Sequence, residues 1–99
     1  MKILAIEKEL NNITVEDLKP LLMKEARRAW ELYQSGIFRE IYFVKDRSFA
    51  VIVIEANGLE EAKKALASLP LVKEGYIDFE LMPLAPYPGF ARLFKDRPE

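Results

Sequence analysis

Two strand-forming runs joined by four polar residues constrain this chain more than any other feature. Residues 37–44 (IFREIYFV) and 49–55 (FAVIVIE) are rich in β-branched and aromatic side chains, and only Lys45-Asp46-Arg47-Ser48 separates them. So short a spacer closes a hairpin between antiparallel strands. Both runs carry apolar residues on both faces. Helices can cover one face of the resulting sheet, and the other face must be covered as well, because it would otherwise leave a large exposed apolar patch.

The flanking segments supply the rest of the sheet and its helices. Residues 2–8 (KILAIEK) read as a strand in which Ile3 and Ala5 alternate with Leu4 and Ile6, followed by a turn at Asn11-Asn12. Thr14 with Asp17 resembles a capping box. Pro20 points to a short first turn before a main helix starting near that proline, where the missing N–H is tolerated. Leu22, Ala26, Ala29 and Tyr33 then recur at helical spacing, Met23 and Trp30 widen the stripe, and Ser35-Gly36 ends it. Arg27 and Glu31 pair along this helix, and Glu60 and Lys64 along the next. After the hairpin, Asn57 with Glu60 gives a second capping pattern, Leu59, Ala62, Leu66 and Leu69 share a helical face, and Pro70 stops the helix. Residues 76–82 (YIDFELM) alternate as a final strand.

The order β-α-β-β-α-β predicts one ferredoxin-like α+β domain over residues 1–99, with a four-stranded antiparallel sheet and helices on one face. The second face is best covered by another copy, giving a homodimer in which two sheets close a dimeric α+β barrel. Residues 84–94 (LAPYPGFARLF) form an apolar arm that Pro86 and Pro88 keep extended, with a short helical turn over 90–94. The arm is expected to pack on the dimer partner; the alternative is that it folds back on its own domain. Residues 95–99 are expected to fray.

Composition narrows the chemistry. The 99 residues carry 15 basic and 16 acidic side chains, a net charge of −1, which makes no electrostatic case for nucleic acid or an anionic membrane surface. Residues 1–10 are too short and too charged a run for a signal peptide or a membrane span, so a cytoplasmic location is expected by default. There is no cysteine and no histidine, which removes thiolate chemistry and both the commonest general base and the commonest metal ligand. There is no glycine-rich phosphate loop, nucleophile motif or metal-ligand cluster, so no cofactor or metal is expected. Acid–base work is left to carboxylates, lysine, tyrosine or water.

The last strand offers such carboxylates. Ile77, Phe79 and Leu81 point one way, toward the helices; Tyr76, Asp78, Glu80 and Met82 point the other, toward the expected barrel interior. Asp78 and Glu80 then stand about 7 Å apart at Cα. In an apolar cavity, mutual repulsion and desolvation raise at least one of their pKa values, as a general acid or base requires. Acids at the end of a strand are also often solvated or paired with an arginine. Arg39 suits a substrate carboxylate through its bidentate fork, or else a structural ion pair with Asp78, Glu80 or Glu55. Tyr42 and Tyr76 are candidate substrate contacts, Tyr42 otherwise being a core aromatic. In a regular strand Arg39 and Tyr42 fall on opposite faces, so at most one faces the interior unless a bulge intervenes. Trp30 reads as helix-packing core.

Residues 68–88 (SLPLVKEGYIDFELMPLAPYP) resemble the C-terminal half of the muconolactone isomerase family, with its SLPL turn at Ser68-Leu69-Pro70-Leu71 and its acid–apolar–acid strand at Asp78-Phe79-Glu80. The passage 32–42 and the closing PGFARLF are similar to small proteins grouped with that family. The resemblance implies a dimeric ferredoxin-like barrel, often assembled into larger rings, with a pocket for a small unsaturated lactone acid and proton transfer between ring carbons. Where the family pattern has Arg-His before a proline, this chain has Pro86-Tyr87. The expected function is therefore a small-molecule isomerase using carboxylate chemistry on an unsaturated lactone or acid, with Asp78 or Glu80 carrying the proton. The alternative is a non-catalytic small-ligand-binding or assembly module. A cofactor-free monooxygenase rests on fold analogy alone.

Overall fold

The computed structural model describes residues 1–95. Its elements run β1 (Lys2–Glu9), α1 (Val15–Gln34), β2 (Phe38–Phe43), β3 (Ala50–Glu55), α2 (Leu59–Ala67), α3 (Pro70–Lys73) and β4 (Ile77–Pro83), followed by a 3-10 turn (Pro88–Ala91) and α4 (Arg92–Lys95). The four strands form one antiparallel sheet in the order β2-β3-β1-β4, the arrangement expected of the β-α-β-β-α-β pattern.

Register decides which residues share a face. Ile3 pairs with Ile54, Ala5 with Ile52, and Ala5 with Leu81 on the other side. That face continues through Ile77 and Phe79 and is buried beneath the helices with Leu32, Ala62, Ala65, Leu66, Leu69 and Leu71. The opposite face carries two transverse rows, Glu40-Val53-Leu4-Met82 and Tyr42-Val51-Ile6-Glu80. Its centre is apolar and only half-buried in the single chain.

Several local expectations are corrected. Helix α1 is continuous from Val15, with Pro20 inside it and the Thr14–Asp17 capping box formed in both directions. The cap places the proline late in the first turns, where the carbonyl it leaves without a donor lies on an exposed helix, so no separate first turn is needed. Asn57 does not cap α2: Gly58 holds that position, and the Asn57 N–H instead donates to Glu61 at 2.7 Å. Pro70 does not end α2, which stops at Ala67. It opens α3, where its lost N–H costs nothing. The helical ion pairs are Arg28–Glu31 at 2.9 Å and Glu60–Lys63 at 3.8 Å, both at i,i+3. Trp30 is 57% exposed and stacks on Tyr33 at 5.6 Å rather than entering the core.

The arm stands away from its own domain. Tyr87, Phe90, Leu93 and Phe94 are all exposed, with Tyr87 packed edge-on to Phe90 at 5.1 Å. The chain is 68 Å long, about twice the length of a 20-residue helix. The expectation for the chain end beyond residue 95 lies outside the described residues. Among the described residues no helix is long and apolar enough to cross a membrane.

Candidate functional site

Helix α1 packs most closely on β2 and α3, and only Leu32, near its C-terminal end, is fully buried. Between the helix and the sheet lies a cavity of about 850 Å³. Ala50, Ile52, Ile77 and Phe79 form the sheet side, and Leu18 and Leu22 form part of the helix side. Ile41 and Phe43 of the edge strand β2 also line it and are 40% and 69% exposed, which places an apolar rim at that side. The volume is within the range of small-molecule sites.

Two partly buried carboxylates face this apolar space, one from each side, and the exposed Glu9 also lines it. Glu7 follows Ile3 and Ala5 on the inward face of β1. Its Oε1 accepts the Ala50 N–H at 2.8 Å, just where the β1–β3 ladder ends at the Ile6–Val51 pair. Glu25 projects from α1, and its Oε1 accepts the Leu71 N–H at 2.9 Å. Leu71 follows Pro70 at the start of α3, so Glu25 satisfies a helix N-terminal donor that has no partner within its own helix. One oxygen of each carboxylate is thus fixed by a backbone amide. The Oε2 atoms have no protein hydrogen bond among the described residues.

The same environment perturbs both acids. Burial raises the Glu7 carboxyl above its usual value and the Glu9 charge adds to this, while the Ala50 N–H bond acts the other way. Burial likewise raises Glu25. The Leu71 N–H opposes that shift and the Glu7 charge reinforces it, so Glu25 senses the charge of Glu7. Burial and a like charge bring a carboxylic acid toward the neutral pH at which proton transfer is most useful.

The residues singled out in the sequence lie elsewhere. Asp78 and Glu80 are exposed on the open sheet face, on β4 at the sheet edge, and border a second, more open groove of about 590 Å³ that Lys8 and Lys63 also line. The apolar enclosure expected around them is not formed by the chain alone. Arg39 occupies a register shift between Phe38 and Glu40, and its Nε donates to the Gly36 carbonyl at 2.6 Å. Tyr42 is on the open face, 57% exposed rather than core, and its hydroxyl donates to Glu40 at 2.7 Å, which raises its pKa. Tyr76 precedes β4 and packs against the buried core. The structure therefore separates these five residues from the α1 cavity.

Glu7 and Glu25 carry a sequence signal of their own. Each is an acid at an inward position of an otherwise apolar pattern: Ile3-Ala5-Glu7 at strand spacing, and Leu18-Leu21-Glu25-Ala29-Leu32 at helix spacing. An interrupted stripe marks a polar group facing the core, although it does not say whether the facing space is filled or open.

Comparison with known proteins agrees with this architecture. The fold matches a crystal structure of muconolactone isomerase with a TM-score of 0.75 at 20% sequence identity, covering 89% of this chain and 92% of that one. At that identity the likeness shows the fold alone. A sequence search of curated proteins gave no match. The sequence profile described as muconolactone delta-isomerase matches residues 5–89, and by that match over most of its length the chain belongs to the muconolactone delta-isomerase family.

Proposed function

We propose that this protein is a cofactor-free isomerase that moves a proton between carbons of an unsaturated lactone or a related carbonyl compound, with Glu7 and Glu25 handling the proton. The observation that carries this reading is the pair of half-buried carboxylates facing one apolar cavity from opposite walls, each anchored by a backbone amide. A ring C–H conjugated with the lactone carbonyl through the double bond loses its proton to a carboxylate base. The electron pair spreads into a dienolate, and the same proton or one from the second acid returns at the far carbon, moving the double bond. No atom is gained or lost. The largely apolar lining raises the basicity of a carboxylate held against it. Family membership supports the reaction class, since the family is named for an isomerase.

We also propose that the active form is a homodimer, or a ring of dimers, closed through the open sheet face. Val51, Val53, Leu4, Ile6 and Met82 form a continuous apolar centre there, bordered by Glu40, Glu80 and Asp78. In such a dimer Asp78 and Glu80 form the alternative site, since a partner sheet would supply the burial they lack in one chain; within one chain Arg39 and Tyr42 lie on the opposite edge strand and Tyr76 packs against the core. The exposed arm at 84–94 fits a role in the same assembly.

Proton NMR of muconolactone in deuterated buffer tests the reaction, because it reads both product and deuterium exchange at the acidic ring carbon. Exchange above the buffer rate that falls at least a hundredfold in Glu7→Gln or Glu25→Gln is the expected result. Loss of exchange in Asp78→Asn or Glu80→Gln with Glu7→Gln and Glu25→Gln unaffected moves the chemistry to the dimer interface. No exchange of muconolactone or its uncharged derivatives leaves a non-catalytic binding or assembly module.

A further inference from the structure

The cavity between α1 and the sheet is bordered by the turn that joins β2 to β3. Phe43 and Ser48, which flank that turn, are exposed residues of its lining, and Phe49 and Ala50 follow them. The turn is tightly closed: the Val44 N–H donates to the Phe49 carbonyl and the Arg47 N–H to the Val44 carbonyl, both at 3.0 Å. Asp46 is at the bend with φ +67, a left-handed conformation that aspartate tolerates better than most residues. Lys45 and Arg47 stand on either side of it, both exposed. Among the described residues, neither side chain forms an ion pair or a hydrogen bond. Other cations of the chain are already committed: Arg28 is held by Ser68 and Glu31, and Arg39 by the Gly36 carbonyl. Free positive charge is therefore found at the edge of the cavity, while Glu7 and Glu25 face its interior.

We propose that the β2–β3 turn is the anion-recognising rim of this cavity: Lys45 and Arg47, with the Ser48 hydroxyl, hold the carboxylate of a lactone acid at the mouth while its ring lies inside, against Glu7 and Glu25. The inference rests on the function proposed above and assigns the residues that orient its substrate. The charge pattern favours this orientation over the reverse. A carboxylate pushed inward meets two like charges and loses its hydration to Phe38, Ile52 and Phe79. At the mouth it keeps part of its hydration and gains two cations, the guanidinium offering two parallel hydrogen bonds. Glu9 lines the cavity from the β1 side and turns an anion toward the hairpin. Asp46 offsets one of the two positive charges, so the turn carries a net +1 and its field is local. Holding one end of the ligand fixes which ring carbon meets the inner carboxylates. Lys45 and Arg47 are binding residues in this scheme and take no part in the proton transfer.

A matched pair of ligands isolates the charge. Muconolactone and its primary amide share the ring, and only the acid carries a carboxylate. Each is titrated into the full-length protein at pH 7.5 and low ionic strength, with binding followed through the backbone amide signals of Ser48 and Ala50. Lys45→Gln and Arg47→Gln should each weaken binding of the acid about threefold, and the double variant roughly tenfold, with the amide changed by about twofold at most. Arg47→Lys should recover part of the loss, since it restores the charge without the fork. Lys64→Gln, an exposed lysine of α2, removes the same charge elsewhere and should leave the acid's affinity unchanged. Unaltered binding of the acid to the double variant overturns the proposal. So does an equal loss for acid and amide, an equal loss in Lys64→Gln, or no shift of those signals with the acid in the parent protein. Deuterium exchange in the same samples reads the reaction separately. Charge-dependent binding without exchange upholds the rim and removes the isomerase reading. Exchange that depends on Glu7 and Glu25 while the turn variants bind the acid like the parent does the reverse.

Discussion

Replacing Glu25 in two ways separates its structural bond from its charge. The carboxylate accepts the Leu71 N–H at 2.9 Å, and Leu71 is only 9% exposed. In Glu25→Ala that buried donor has no acceptor, which costs about 1–3 kcal/mol. The alanine also removes the unfavourable burial of a charge, so the lowest quarter of that range is expected at neutral pH, about 1–1.5 kcal/mol. For a domain of this size that corresponds to a fall in Tm of roughly 4–12 °C. Glu25→Gln keeps an oxygen for the Leu71 N–H and removes the charge, so it is neutral or stabilising at pH 7. The pH dependence has a defined sign. The folded-state pKa of Glu25 is raised above 4.5, chiefly by burial. The native state then binds its proton more tightly than the unfolded state. The stability from this group is fully present below about pH 4.5 and is lost as pH rises through the folded-state value. Glu25→Gln should therefore gain on the parent protein between pH 4 and pH 8. Urea denaturation at several pH values and one fixed protein concentration measures this, the fixed concentration guarding against mass action in a dimer. If alanine and glutamine variants were equally stable at every pH, or if the parent gained on Glu25→Gln with rising pH, the reasoning about this site would be refuted.

Further predictions concern the frame around the site. Phe38 is 1% exposed at the start of β2 and also lines the cavity, so Phe38→Ala should cost about 3–5 kcal/mol in urea denaturation. Thr14 accepts the Asp17 N–H at 3.1 Å in the capping box of α1, and Thr14→Ala should cost about 1 kcal/mol, read as a fall in Tm. Gly36 has φ +88, so Gly36→Ala should destabilise by about 1 kcal/mol through strain at the end of α1, whereas the same change at Gly58 should do much less. Val53 is at the centre of the open sheet face, and Val53→Lys should shift sedimentation velocity from dimer to monomer; an unchanged dimer would place the interface elsewhere.

The sequence determined the elements and their order because those depend on local signals. Alternation in residues 49–55 and 76–82, a four-residue polar turn and a helical stripe ending at Gly36 each act within a few residues of chain, and together they admit few topologies. The same local logic erred where two signals competed. Pro20 read as a helix start until the Thr14 cap fixed the true one, and Asn57 read as a cap until Gly58 took the position. Alternation also placed Asp78 and Glu80 on one face correctly, but a face is not a site: they are exposed at the sheet edge in the single chain. The cavity with Glu7 and Glu25 is a tertiary outcome. Glu7 and Glu25 are 18 positions apart, and their amide partners Ala50 and Leu71 come from two further elements. The space lies between side chains of α1 and the sheet, and its shape depends on how the helix is set against α3 and β2, with which it makes its closest packing. No pattern along the chain reports the gap between two packed surfaces, so only the folded structure could decide which of the acids face it.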